Sequence, residues 1–279
     1  MVILQDIPDL LHYGQNNNYF RNFLLRILIT GASSGLGKAL ALEAAQRFSG
    51  VSLGLVARNP ERLASVAAQA QALGAIVTTA CIDVRDQPAI ENFLYNFGQQ
   101  PIDIALVNAG ISGGSGGDID LATMNRQSLD IFNVNLNGAL YSLHPLSEVM
   151  VGHGHGQIGV VGSMAGFLPL SSAPAYSASK AALRFYSLSL RPVLAQKGVG
   201  ITLIAPGFIK TPLTDRNNFS MPFLMSAEQA ACCIYDGLAK NPAILAFPSP
   251  MHWLSRLASL QPDFMRHWLH KKLPAKPPL

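Results

Sequence analysis

Tyr176 and Lys180 stand four residues apart in Tyr-Ser-Ala-Ser-Lys, a spacing that puts both on one face of a helix. A free phenol titrates at about 10 and exchanges protons poorly at neutral pH. An ammonium beside it stabilises the phenolate and brings general acid/base chemistry within reach. Ser163 lies thirteen residues before Tyr176, at the end of a short apolar run, and offers a hydroxyl from a strand end. A second set, Thr30-Gly31-Ala32-Ser33-Ser34-Gly35-Leu36-Gly37, stands between an apolar run and a helical pattern. Glycines at a strand-to-helix turn let backbone N–H groups and the helix N-terminus approach a pyrophosphate. The spacing here is GxxxGxG instead of the more familiar GxGxxG, and a glycine trio alone describes a turn as well as a site.

Positioning these groups requires strands and helices in alternation. From residue 24 onward, short apolar runs alternate with helix-length amphipathic segments, which predicts parallel strands joined by right-handed crossovers. Strands are predicted at 24–30, 51–57, 75–82, 102–108, 157–163, 199–205 and 244–247. Helices are predicted at about 35–48, 60–73, 86–99, 120–151 in two pieces, 174–197 and 226–240. The strand runs are almost continuously apolar, as a sheet covered on both faces requires. Pro60 opens one helix, Gly74 follows its end, and Ser226 is a candidate N-cap. No Pro/Ser-rich linker divides the chain. The expected fold is a single doubly wound α/β domain of Rossmann type over 21–249, with a mostly or wholly parallel seven-stranded sheet. An N-terminal arm (1–20) precedes it and a C-terminal helical extension (250–279) follows.

With those elements around its motifs, the chain resembles the short-chain dehydrogenase/reductase family over roughly residues 24–247. The likeness is to the single-domain branch, which carries TGxxxGxG at the first strand-to-helix turn and YxxxK downstream; the extended branch usually spaces its glycines TGxxGxxG. The resemblance implies an NAD(P)-dependent enzyme that interconverts a carbonyl and an alcohol by hydride transfer. Tyr176 would be the general acid/base. Lys180 would lower its pKa and hold the nicotinamide ribose, and Ser163 would hydrogen-bond the substrate oxygen. Asn135, in Asn133-Val134-Asn135-Leu136, would hold a water that feeds a proton relay; Asn133 lies one face away and is not given that role.

On the cofactor side, the same resemblance assigns Gly31, Ser33, Ser34, Gly35, Leu36 and Gly37 to the pyrophosphate turn, and Asp83 and Val84 to the flanks of the adenine. Asn108-Ala109-Gly110 matches an NNAG motif whose first residue is Val107 here. In Pro206-Gly207-Phe208-Ile209-Lys210-Thr211, the backbone at Ile209 would recognise the carboxamide and Thr211 the amide or pyrophosphate. Ala57 occupies the place where NAD-selective relatives carry an acid, and Arg58 follows it. A guanidinium pairs with a ribose 2′-phosphate that a carboxylate would repel, so NADP is expected over NAD. Ser34, where many NADP-selective relatives have a second basic residue, argues the other way.

Composition narrows the rest. Of 279 residues, 49% are apolar and 13% charged, which excludes a disordered chain and supports a large core. The longest charge-free stretch, 149–179, is too rich in Gly, Ser, His and Pro to span a membrane, and the N-terminus lacks the pattern of a secretory signal. Cys81, Cys232 and Cys233 have no metal-ligand spacing, so reduced thiols and a cytoplasmic location are expected. His153-Gly154-His155 lacks a third ligand, and no metal is expected. The glycines of 111–117 read as a substrate-side loop. Segment 212–225, with Phe219, Met221, Phe223, Leu224 and Met225, reads as a lid that favours an apolar small-molecule substrate.

The net charge of +4 is concentrated at one end. Arg256, Arg266, Lys271, Lys272 and Lys276 face only Asp263 within 250–279, and the preceding body is neutral overall, with no nucleic-acid signature. The apolar stripe of that extension, including Trp253, Leu254, Leu257 and Trp268, fits two fates. It packs over the pocket or a subunit interface, or it docks peripherally on an anionic membrane. A homo-oligomer is expected. The rival from another class is a non-catalytic nucleotide-binding redox-sensing module, against which the complete set Asn135, Ser163, Tyr176 and Lys180 counts.

Overall fold

The computed structural model describes residues 25–114, 121–215, 217 and 219–259. The arm 1–20, part of the loop 111–117 and the extension beyond Ser259 lie outside the described residues.

Seven strands, β1 (Arg26–Thr30), β2 (Ser52–Ala57), β3 (Ile76–Cys81), β4 (Ile104–Val107), β5 (Gly156–Val161), β6 (Val199–Pro206) and β7 (Ile244–Phe247), form one sheet of order 3-2-1-4-5-6-7. Every pairing is parallel. Strand order reverses between β1 and β4, the point at which open α/β sheets place a ligand crevice beyond the carboxyl ends of their strands. The helices are α1 (Gly35–Arg47), α2 (Pro60–Ala72), α3 (Gln87–Phe97), α4 (Leu121–Phe132), α5 (Gly138–His153), α6 (Pro174–Ala195), α7 (Ala227–Leu238) and α8 (Ser249–Ser259).

Strand alternation divides the core into two layers. Ile27, Ile29, Leu53 and Leu55 point to one face, where α1, α2 and α7 cover them with residues such as Leu40, Val66 and Ile234. Leu28, Val56, Ala105 and Val107 point to the other, against Leu94 of α3, Leu143 of α5 and Leu183 of α6. The ends of the helices carry their own signals. Asn59 Oδ1 accepts from Arg62 N–H at 2.8 Å and Pro60 opens α2; Ser226 and Gln229 form a reciprocal capping box on α7.

One expectation is corrected and another refined. The third strand is not covered on both faces: β3 is an edge, with Ile76, Thr78, Thr79 and Cys81 exposed and Ile76 accessible to 54%. Its apolar composition resembles that of an inner strand, but with only β2 as a neighbour it carries less cover. The predicted two-piece helix at 120–151 is two helices joined without a break by a π-helical turn, Asn133–Asn137. That wider turn slips the backbone hydrogen-bond register, so Gly138 N–H reaches back to Asn133 C=O. The remaining helices end one to a few residues inside their expected limits.

Candidate active site

The β1–α1 turn supplies a cradle built from backbone. Gly31 and Gly35 have positive φ, 69° and 51°, a region that side chains other than hydrogen rarely tolerate. At Gly37 the constraint is space: a Cβ there would stand 2.1 Å from Gly31 C=O and 2.6 Å from Asn108 Nδ2. Ser34 occupies the N-cap of α1 but its side chain makes no cap hydrogen bond, and the first turn holds no acid. The N-terminal N–H groups of α1 therefore remain available to an anion, as a pyrophosphate requires. Leu36 is turned into the core.

Neighbouring strands close this cradle. Asn108 Nδ2 donates to Thr30 C=O at 2.9 Å, while Asn108 and Ala109 N–H both donate to Thr30 Oγ1 at 3.0 and 3.1 Å. Thr30, which the motif contains but its spacing does not single out, thus locks the end of β4 to the glycine turn. From the other side, Thr211 lies over the turn, its Cβ 3.2 Å from a Cβ built on Gly35. Gly31, Gly35, Gly37, Asn108, Ala109 and Thr211 lie together here, and the uncapped N–H groups of α1 beside them suit a pyrophosphate.

At the carboxyl ends of β2 and β3, Arg58 Nη1 stands 3.5 Å from Asp83 Oδ2, and Arg85 grips the same carboxylate through Nη2 at 2.8 Å and Nε at 3.1 and 3.2 Å. Arg85 was not among the expected site residues; nothing in its spacing marks it. Val84 is buried and packs where a Cβ on Gly138 would meet it at 2.6 Å. Its side chain belongs to the core, so only its backbone faces the crevice.

The chemical residues gather beyond β4 and β5. Ser163 caps the short 3₁₀ turn Met164–Phe167, accepting from Ala165 N–H at 3.1 Å, and hydrogen-bonds Tyr176. Desolvation around the Tyr176 hydroxyl raises its pKa above the ordinary phenol value, and the Ser163 hydrogen bond offsets part of that rise. Lys180 is 4% exposed; its Nζ donates to Val161 C=O at 2.8 Å and lies 5.9 Å from the centroid of the Tyr176 ring. Burial lowers the Lys180 pKa to about 8. Lys180 thus shares the Tyr176 face of α6, as the i, i+4 spacing requires, with its ammonium held by main chain.

Asn135 sits fully buried in the π-helical turn. Its Oδ1 accepts from Ile111 N–H at 2.7 Å, and Nδ2 donates to Ile111 C=O at 2.9 Å and to Ser179 Oγ at 3.2 Å. Those bonds fix the segment after β4 against α6. Gly110 completes the junction: a Cβ there would lie 3.3 Å from Asn135 Oδ1 and 3.6 Å from Lys180 Nζ. Asn133 faces away and accepts from Asn137 Nδ2.

Two further segments lie near these residues. The ends of the segment expected as a lid, 212–225, are tied together where Lys210 N–H donates to Met225 C=O at 2.8 Å and Met225 N–H to Phe208 C=O at 3.0 Å. Phe219 packs edge-on to Phe208, while Phe223 and Leu224 are exposed. The second segment is α8, whose position sequence spacing does not reveal. His252 packs edge-on against Phe167 with centroids 5.2 Å apart, and a Cβ built on Gly207 would meet Met251 Sδ at 2.8 Å. The first turn of α8 therefore packs against the 3₁₀ turn after Ser163 and the loop after β6, with Trp253, Leu254 and Leu257 exposed.

His153 and His155 serve separate neighbours, Gly98 C=O and Asp103, and no group of three potential ligands occurs among the described residues. Burial raises the Cys232 and Cys233 thiols above their ordinary pKa, as befits packing residues. Among the described residues no helix is long and apolar enough to cross a membrane.

Comparison with known proteins agrees with this geometry. The short chain dehydrogenase family profile matches residues 26–221. An uncharacterized oxidoreductase of Myxococcus xanthus is 35% identical over 85% of this chain and 92% of its own length. A protein of Arabidopsis thaliana named 11-beta-hydroxysteroid dehydrogenase-like 2 is 30% identical over 87% of this chain and 80% of its own. The structure of a short-chain dehydrogenase from Sphingobium yanoikuyae in complex with NADPH superposes with a TM-score of 0.72, at 26% identity over 90% of this chain and 97% of that one. Motifs, topology and relatives agree, and the chain belongs to the short-chain dehydrogenase/reductase family as an NAD(P)-dependent oxidoreductase.

Proposed function

We propose that this oxidoreductase interconverts a carbonyl and an alcohol on an apolar small molecule, with NADP(H) as its cofactor and Tyr176 as its general acid/base. The observation that carries the reading is the Ser163–Tyr176 hydrogen bond beside the buried Lys180. A protonated phenol next to a second hydroxyl is poised to donate to a carbonyl oxygen. When bound, the cofactor supplies hydride to the carbonyl carbon or removes it from the alcohol.

Tyr176, whose pKa is raised, keeps its proton at neutral pH and gives it to the oxygen as negative charge develops there. Ser163 orients that oxygen through its hydroxyl. In this reading Lys180 leaves Val161 C=O for the nicotinamide ribose, and its charge then favours the tyrosinate left after proton transfer. Asn135 supports the relay by holding a water: its two N–H donors go to Ile111 C=O and Ser179 Oγ, while Oδ1, which accepts from Ile111 N–H, keeps a second lone pair.

Arg58, with no acid at Ala57, supports the 2′-phosphate and hence NADP, in keeping with the NADPH of the Sphingobium structure. Phe208, Phe219 and the apolar rim of Phe223 and Leu224 support an apolar substrate, as does the steroid dehydrogenase name of the Arabidopsis relative. The reading includes a homo-oligomer and a peripheral membrane contact through the basic extension. The test is a screen of carbonyls of graded chain length with NADPH. Turnover should rise with apolar length; equal turnover of short polar and long apolar carbonyls, or none of either, would overturn the substrate class.

A further inference from the structure

Two arginines compete for one carboxylate at the adenosine end of the crevice. Asp83 Oδ2 lies 2.8 Å from Arg85 Nη2 but 3.5 Å from Arg58 Nη1, beyond good hydrogen-bond length. Arg85 closes a fork on both carboxylate oxygens, and its own backbone N–H adds a third hold on Asp83 Oδ1 at 3.0 Å. Its remaining Nη1 faces Asp130 at 3.8 Å. Asp83 is kept below its ordinary pKa although burial works the other way, chiefly by hydrogen bonds from the Arg85 side chain and backbone, then by the charges of Arg85 and Arg58. The Arg58 side chain is 54% accessible and has this long ion pair as its contact with an acid among the described residues.

A close Arg58–Asp83 pair would cancel the charge that a 2′-phosphate needs and would place an anion against that phosphate. Ser34, at the position where a second cation would help, is neutral. The balance at this end therefore turns on which arginine holds Asp83. We propose that Arg85 is a positioning residue for cofactor choice: by occupying Asp83 it leaves Arg58 free to bind the 2′-phosphate. Arg85 acts through Asp83 and needs no contact with the phosphate itself. This rests on the proposed NADP preference and extends it to a residue outside the glycine turn and the end of β2.

The test is a titration of NADP⁺ and NAD⁺ into wild type, Arg85→Gln, Asp83→Asn and the double variant, with far-UV circular dichroism to verify folding. In Arg85→Gln, Asp83 is released to Arg58, and NADP⁺ affinity should fall about fivefold while NAD⁺ affinity changes less than about twofold. Adding Asp83→Asn removes the competing charge, so the double variant should bind NADP⁺ within about twofold of Asp83→Asn alone. A direct phosphate contact by Arg85 would leave the double variant as impaired as Arg85→Gln, and that result overturns the proposal. An unchanged NADP⁺/NAD⁺ ratio in Arg85→Gln overturns it as well. A wild type that does not discriminate the cofactors would instead refute the NADP reading on which it stands, and the two failures are told apart by the first titration.

Discussion

A buried ammonium is expensive to keep, and Lys180 is kept 4% exposed with one carbonyl as its hydrogen-bond acceptor. Its pKa is lowered from 10.5 to about 8 by burial. The folded protein therefore holds the Lys180 proton less tightly than the unfolded chain does. Below about 8 both states are protonated and the full desolvation cost opposes folding; between about 8 and 10.5 folding releases a proton, and the cost fades as pH rises. Lys180→Met should gain cofactor-free thermal stability relative to wild type at pH 7, and that gain should shrink as pH climbs through this window. Melting curves of both proteins across the window check it; a difference independent of pH would mean that Lys180 is not held against its charge. The same substitution removes the proposed ribose contact, so it should weaken cofactor binding as well as slow turnover. Retaining a residue that burdens the fold is consistent with a site whose groups are placed for chemistry.

Elements explain how such groups are held in register. The π-helical turn Asn133–Asn137 brings Asn135 to face the segment after β4, where its amide satisfies both main-chain groups of Ile111. Asn135→Ala would strand the part-buried N–H and C=O of Ile111, with an expected loss of about 1–2 kcal/mol in urea denaturation. An unchanged midpoint would show that water replaces the amide without cost. This turn was not legible in the sequence, because Asn-Val-Asn-Leu-Asn carries no composition that distinguishes a wide turn from an ordinary helix. The glycine turn and the Tyr176/Lys180 face were legible, since each depends on a local spacing that backbone geometry enforces. The edge position of β3 was not: composition records how apolar a strand is, whereas its exposure depends on which strands lie beside it. Docking of α8 through His252 and Met251 likewise depends on tertiary contacts with Phe167 and Gly207, far away in sequence.

For the whole molecule, the seven parallel strands bring the glycine turn, Arg58, Ser163 and Thr211 to the carboxyl ends of the strands, although they are dispersed along the chain. The extension starts on that same side, after the carboxyl end of β7, with Trp253, Leu254 and Leu257 exposed and the net charge of the chain gathered in 250–279. If it docks on lipid, wild type should float with anionic vesicles at low salt and less so as salt screens the attraction, whereas a protein that stays in the soluble fraction would leave packing as its role. If Tyr176 moves the proton in an NADP(H)-dependent carbonyl–alcohol conversion, Tyr176→Phe should lose turnover on a carbonyl that wild type reduces. NADPH binding and consumption are measured on both proteins. The substitution keeps the ring and removes the proton, so NADPH affinity should stay within about twofold of wild type and turnover should fall about 100-fold or more. Near-wild-type turnover by Tyr176→Phe would contradict it.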